Sequence, residues 1–157
     1  MSFQFHTLDH QQFEPLYGLS EQELAKHGVL TARVDHPNSY PCRITLQLPE
    51  PGERMLLVNY WHLDVESPFR SCYAIYVREG QVSRHYQPGE IPVMFKTRRM
   101  ALRAFCPQHR LKLAALVADE PELRQHIEQY LANPEVEYLH LHSATHGCYL
   151  ARISRPA

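Results

Sequence analysis

The chain lacks the features that would place it in a membrane or on nucleic acid. Its longest apolar run, Leu113 to Ala118, is far too short to cross a bilayer. Residues 1–10 have neither the basic head nor the apolar segment of a signal peptide. Charge is balanced, with 16 basic and 17 acidic residues, so no overall field attracts nucleic acid or a membrane surface. We therefore expect a cytoplasmic protein with no nucleic-acid or membrane partner.

Paired cysteines and the common catalytic motifs are also missing. The chain has no C-x-x-C spacing, no glycine-rich phosphate loop, no G-x-S-x-G turn and no H-E-x-x-H zinc motif. Isolated cysteines predict free thiols in a reducing compartment. These cysteines are Cys42, Cys72, Cys106 and Cys148.

Alternating apolar residues predict a mainly β structure with few helices. Ser20 begins a capping box that opens a short helix, Asp119 caps a second helix, and a third short helix follows Pro92. Besides two C-terminal strands, strands are predicted over residues 42–48, 55–61, 71–78, 99–105 and 111–117. We predict one α+β domain over residues 1–157, with a largely antiparallel sheet of about six or seven strands and about two or three short helices.

The C-terminal hairpin is the most informative segment. Because side chains alternate along a strand, His140 and His142 share one face, and Leu139 and Leu141 share the other. A turn over residues 143–147 places His142 opposite Cys148, with Cβ atoms roughly 5 Å apart, and His140 opposite Leu150. This register predicts two imidazoles and a thiol on one face.

Zinc is one ligand that this face suits. His140, His142 and Cys148 are residue types that zinc accepts. A structural zinc site needs four protein ligands and a catalytic site needs three, and the motif has no carboxylate. Two histidines on a solvated strand face are the alternative, and both remain open.

Cysteine catalysis is a second interpretation. Cys148 would be the nucleophile and His142 its base, because an adjacent imidazole accepts the thiol proton. Amides near Gly147 would supply oxyanion donors. Against this, a cysteine at the start of a strand is often a small buried apolar residue.

Arginines supply a third interpretation. Arg70, beside Ser71, and Arg103 could hold a carboxylate or phosphate through paired hydrogen bonds. The alternative is that these arginines pair with carboxylates such as Glu66 or Glu79.

Basic and acidic residues are unevenly distributed. Residues 91–118 contain no carboxylate, whereas residues 119–137 carry six acidic residues and one arginine. The two segments are expected to pair with each other or to face solvent. A basic surface over residues 96–112 that meets an acidic protein is the other possibility.

Several short motifs follow one another in the order of a known pattern. They are Tyr40-Pro41-Cys42-Arg43, Ser67 to Ser71 leading into Tyr73 to Glu79, Leu102 to Phe105, and His140-x-His142 with Gly147-Cys148. Together they resemble the bacterial family known as domain of unknown function 1203, across nearly the whole chain. The resemblance implies no activity, substrate or cofactor, so it assigns no catalytic role.

Two function classes follow. The first is a small-molecule pocket, binding or catalytic, built on His140, His142 and Cys148, with Arg70 and Arg103 holding an anionic ligand. The second is a non-catalytic protein-interaction domain with the basic 96–112 surface. Neither pattern indicates an oligomeric state.

Overall fold

Antiparallel strands dominate the computed structural model, which describes residues 2–157. The strands are β1 (Gln4–His6), β2 (Leu30–Arg33), β3 (Arg54–Leu63), β4 (Ser71–Arg78), β5 (Met100–Phe105), β6 (Leu111–Val117), β7 (Tyr138–Ser143) and β8 (Tyr149–Ser154). The α-helices are α1 (Glu21–Lys26) and α2 (Glu120–Ala132), and short 3-10 turns lie at His10–Gln12, Glu14–Leu16 and Val93–Phe95. Within residues 2–157, neither helix has the length and apolar character that a membrane span requires.

The strands form two sheets. A five-stranded sheet has the order β1-β8-β7-β5-β6, and a three-stranded sheet has the order β2-β3-β4. Every pairing is antiparallel. The α+β prediction is confirmed, although the strands divide between two sheets instead of extending one.

Both α-helices begin where the sequence predicts. Ser20 and Glu23 form the reciprocal capping box of α1, and the Asp119 side chain accepts a hydrogen bond from the Glu122 backbone N–H at the start of α2. The buried stripe of α2 packs into the core on one face of the five-stranded sheet. That stripe is Leu123, Ile127, Tyr130 and Leu131.

The two faces of the five-stranded sheet differ in chemistry. One face carries leucines such as Leu102, Leu139 and Leu141 into the core beneath α2. The other face, by strand alternation, carries arginine, histidine and aromatic side chains. Tyr149 of β8 joins the core of the three-stranded sheet, so the polar face lies partly against that second sheet.

The predicted strand over residues 42–48 is wrong. Residues 43–46 form a tight turn, in which the Leu46 N–H donates to the Cys42 carbonyl at 2.8 Å. Only an isolated bridge between Cys42 and Gln47 remains of a strand. A half-buried strand would turn Arg43 and Thr45 towards solvent, but both are buried in the structure, at 1% and 4% exposure.

Candidate functional site

The register of the C-terminal hairpin differs from the predicted one. His140 lies opposite Arg152 and His142 lies opposite Tyr149, so the predicted pairings of His142 with Cys148 and of His140 with Leu150 are wrong. The turn closes through the Ser143 N–H, which donates to the Cys148 carbonyl at 2.9 Å. A bulge then leaves Leu150 unpaired, since the register shifts between residues 141 and 142 of β7. The bulge, together with a turn that ends one residue later than predicted, accounts for the difference.

The Cys148 side chain lines a cavity of about 420 Å³ beside the hairpin. Ser143, His146 and Leu150 also line it, whereas His140 and His142 do not. The sulfur accepts a hydrogen bond from Nη2 of Arg43 at 3.2 Å. The structure therefore places the predicted nucleophile beside a guanidinium group and not beside its predicted base.

Arg43 is one of the most buried side chains of the protein, at 1% exposure. Its Nε donates to the Tyr149 carbonyl at 2.8 Å, and its Nη1 donates to the Pro41 carbonyl at 2.6 Å. Burial lowers the pKa of this guanidinium, and the neighbouring Cys148 opposes that shift. Carbonyl oxygens and a sulfur satisfy Arg43, and its positive charge has no carboxylate partner among the described residues.

A second arginine reaches the same cavity from the loop before β5. Arg98 donates from Nη2 to the Asn38 carbonyl at 2.7 Å, and its Nε is buried with no hydrogen-bond partner in the described chain. Burial lowers the pKa of Arg98 as well, and Cys148 again acts in the opposite direction. The cavity wall as described contains no Asp or Glu. Two guanidinium groups therefore share one uncompensated cavity with a thiol.

The loop before Arg43 holds an unusual backbone conformation on the cavity wall. Asn38 and Tyr40 have φ angles of 64° and 58°, in a region that bulky residues rarely adopt. The Tyr40 hydroxyl donates to Oδ1 of Asp35 at 2.8 Å, and its ring lies edge-on to Tyr76 with centroids 4.9 Å apart. Surrounding contacts thus fix a strained segment where it borders the cavity.

His140 and His142 occupy a separate environment on the polar face of the five-stranded sheet. Both are buried, at 3% and 1% exposure, so they are not on a solvated face. His62 of β3 meets them from the second sheet, with ring centroids 6.2 Å from His140 and 5.1 Å from His142. His62 sits at a β-bulge between Trp61 and Leu63, which turns a side chain towards the facing sheet.

Burial keeps the hairpin imidazoles uncharged. It lowers the pKa of His140 to about 2 and that of His142 to about 3, and the positive charge of Arg103 contributes to both shifts. Nδ1 of His142 lies 2.9 Å from the Gly147 carbonyl, which can only accept, so Nδ1 carries the proton. His140 has no partner for its buried Nδ1 among the described residues.

The predicted zinc ligands are not brought together. In residues 2–157, no group of three or more His, Cys, Asp or Glu side chains is arranged to hold a metal ion. Cys148 bonds to Arg43, while His140 and His142 face the opposite sheet beside Arg103, whose charge repels a cation. The donor set therefore does not fit zinc.

Arg70 and Ser71 lie outside the cavity. Nε of Arg70 bonds to Oδ1 of Asp64 at 2.9 Å, and its guanidinium stacks over Trp61 at 3.9 Å. The Ser71 hydroxyl donates to the Phe69 carbonyl at 2.7 Å. Arg70 thus pairs with a carboxylate, as its alternative interpretation expects, although the partner is neither Glu66 nor Glu79.

The basic segment is partly neutralised within the protein. Lys96 pairs with Glu120 at 3.4 Å and Lys112 with Glu135 at 3.8 Å, so two of its charges meet acidic residues of the 119–137 segment. Arg98 faces the cavity and Arg103 lies on the histidine face. These positions leave the 96–112 segment without one continuous basic surface.

Three residues that the structure places at these sites were not predicted as site residues from the sequence. Arg43 belongs to the Tyr40-to-Arg43 motif that resembles the family pattern, and this motif was the signal in the sequence that could have identified it. Arg98 appeared only as one charge of the basic segment. His62 carried no local signal, because a bulge cannot be read from alternation.

Comparison with known proteins identifies a family and nothing more specific. Residues 39–155 match the family described as "Protein of unknown function (DUF1203)". No curated protein and no solved structure matches this chain. The matched segment includes Arg43, Arg98, both hairpin histidines and Cys148. The chain belongs to the DUF1203 family.

Proposed function

We propose that the protein binds a small anionic molecule in the cavity beside the C-terminal hairpin. Arg43 and Arg98 hold the anion, and the Cys148 sulfur faces the bound molecule. The observation that carries this proposal is the convergence of two guanidinium groups on a thiol in a cavity whose described wall has no carboxylate.

Charge is the first support for an anionic ligand. A buried positive charge is costly unless it is paired. Arg43 has only neutral partners, and Arg98 keeps a buried Nε–H without an acceptor in the described chain. A carboxylate or another oxyanion supplies an acceptor for the Arg98 Nε–H and offsets positive charge in the cavity.

Size and lining support a small molecule over a macromolecule. At about 420 Å³ the cavity lies within the range of pockets that hold small ligands. Aromatic and apolar side chains form much of the remaining wall, including Tyr40, Tyr73, Tyr76 and Leu57. Such a wall suits the uncharged part of a ligand whose anionic group meets the arginines.

The thiol gives the cavity a capacity beyond binding. The sulfur is a nucleophile, and cysteine attacks in its thiolate form. Cys148 is partly exposed and lines the cavity, so a ligand held by the arginines has its other end within reach of the sulfur. The pocket therefore favours anionic molecules that carry a thiol-reactive group.

Two alkylating agents that differ in charge provide the test. Iodoacetate and iodoacetamide react with a thiolate in the same way, since the sulfur forms a bond to carbon and iodide leaves. Each agent is applied to the native protein, and the rate at every cysteine is followed by peptide mass spectrometry. We expect the iodoacetate-to-iodoacetamide rate ratio at Cys148 to exceed that at Cys72 by roughly tenfold.

The Arg98→Gln variant identifies the source of this preference. It removes one cavity charge without touching the buried hydrogen bonds of Arg43. We expect the rate ratio at Cys148 to fall towards that of Cys72, which is also partly exposed and does not line the cavity. Equal ratios at the two cysteines of the native protein would overturn the proposal.

A further inference from the structure

A row of basic side chains crosses the polar face of the five-stranded sheet. On β5, Arg103 lies opposite His140 of β7, and His140 in turn lies opposite Arg152 of β8. Paired residues of neighbouring strands project to the same face. Since adjacent strands are about 4.8 Å apart, the two arginines start about 10 Å apart with the imidazole between them.

Among the residues that the structure describes, neither arginine of this row has an acidic partner. No carboxylate of the described chain lies within 4.0 Å of either guanidinium. Arg152 stacks over the Tyr138 ring at 4.7 Å, and Arg103 is half-buried. Both positive charges act on His140, so their fields overlap at the middle of the row.

His140 supplies a donor between these two charges. Its ring is 3% exposed, and its Nδ1 has no hydrogen-bond partner in the described chain. A buried polar atom without a partner costs free energy that a correctly placed ligand atom removes. As a neutral imidazole, His140 can donate one N–H without bringing a third positive charge into the row.

We propose that Arg103, His140 and Arg152 form a second anion site, which takes an oxyanion of the phosphate or sulfate class. Such an oxyanion has enough oxygens to accept hydrogen bonds from both guanidinium groups and from the imidazole at the same time, whereas a carboxylate has only two oxygens. The row lies on the face of β7 that carries the imidazoles, and none of its residues lines the Cys148 cavity. The proposal is thus independent of the cavity and of its ligand.

Arginine side-chain NMR tests the site directly. Inorganic phosphate is titrated into the full-length protein at pH 7.5 and constant ionic strength, and the Nε–Hε signals of the arginines are followed. We expect the signals of Arg103 and Arg152 to move together and to saturate with one Kd. The exposed Arg110 of the β5–β6 turn is the internal control and should not follow that curve.

Matched variants separate the two proposed sites. Arg103→Gln and Arg152→Gln should each raise the phosphate Kd by at least about tenfold, because each removes a charged hydrogen-bonding partner. Arg98→Gln should leave this Kd within about twofold. Arg152 is exposed and makes no side-chain hydrogen bond in the described chain, so its variant is expected to fold even if Arg103→Gln does not.

Two results would overturn the second site. One is a titration in which the Arg103 and Arg152 signals show no saturable response to phosphate. The other is a phosphate Kd that Arg152→Gln leaves unchanged and Arg98→Gln raises, because phosphate would then occupy the Cys148 cavity alone.

Discussion

The two faces of the C-terminal hairpin carry different polar side chains in two separate environments. On one side the Cys148 sulfur meets Arg43 in a cavity that Arg98 also lines. On the other side His140 and His142 are buried against His62 of the second sheet. Side-chain alternation and the bulge at Leu150 produce this separation within a few residues.

The difference shows that nearness in sequence does not define a site on a β-hairpin. A thiol and an imidazole six residues apart were predicted to form a dyad, yet the structure gives the two side chains separate neighbours. Cys148 takes its partner from the turn before β3, and His142 takes its neighbour from β3 itself. Both environments share an excess of positive charge over negative charge, which favours anions on both faces.

The largest expected effect concerns Arg43, which ties the cavity to the hairpin. Arg43→Ala removes a fully buried side chain and leaves the carbonyls of Pro41 and Tyr149 without their donor. We expect the free energy of unfolding in urea to fall by about 3 kcal/mol or more. Arg43→Met restores most of the side-chain volume but none of the hydrogen-bond donors. If it lowered the free energy of unfolding as much as Arg43→Ala does, the loss would come from the hydrogen bonds.

The exposed Arg33→Ala variant is the control for this prediction. Within the described residues, the Arg33 side chain makes one hydrogen bond, to the Gly52 carbonyl at 3.1 Å, and its removal should lower the free energy of unfolding by no more than about 0.5 kcal/mol. If Arg43→Ala cost as little as Arg33→Ala, the cavity would not depend on a buried guanidinium.

The second expected effect is a pH dependence that belongs to the histidine face. The pKa of His142 is about 3 in the folded protein and near 6.5 when unfolded, so below pH 6.5 the unfolded chain binds more protons. Stability is therefore fully present above pH 6.5 and is lost as the pH falls towards 3. Between pH 6.5 and 5, protonation of this histidine alone should lower the free energy of unfolding by about 2 kcal/mol.

His142→Asn removes this titration while preserving a donor to Gly147. The amide of Asn can replace the Nδ1–H bond to the carbonyl, and it does not titrate. The variant should lose about 2 kcal/mol less than the native protein between pH 6.5 and 5, in urea unfolding at each pH. If the free energies of unfolding of the two proteins fell in parallel with pH, His142 would not be buried in its neutral form. The difference between the two free energies at pH 7.5 gives the effect of the substitution itself.

The smallest expected effect concerns Arg70, which sequence analysis placed in the ligand site. Arg70→Ala breaks an exposed ion pair with Asp64 and a stack on Trp61. We expect a loss of about 0.5 to 1 kcal/mol in unfolding free energy. The iodoacetate-to-iodoacetamide rate ratio at Cys148 should stay unchanged. A decrease in this ratio comparable to that in Arg98→Gln would show that Arg70 contributes to the ligand site.

Local signals were sufficient for much of the fold. The capping residues Ser20 and Asp119 set the starts of both α-helices, and the strand predictions over residues 71–78 and 111–117 match β4 and β6. β1 and β2 went unrecognised. Both are only three or four residues long, too short for alternation to stand out from the surrounding chain.

Long-range packing explains the errors. Residues 42–48 alternate as a half-buried strand does, but tertiary contacts bury Arg43 and hold Leu46 at a φ of 52°, so the segment folds as a turn. The hairpin register likewise depended on a bulge that no residue type announces. As a result, the sequence indicated which residue types are chemically capable, but only the folded structure shows which of them lie close together.

One measurement tests the central claim that the positive charge of the cavity, and not the predicted histidine base, controls the reaction of the Cys148 sulfur with an anion. It is the rate at which iodoacetate alkylates Cys148 at pH 7.5 in the native protein, in Arg98→Gln and in His142→Asn. We predict a several-fold slower reaction in Arg98→Gln and a rate within about twofold of native in His142→Asn. A rate that falls in His142→Asn and stays native in Arg98→Gln would contradict the account.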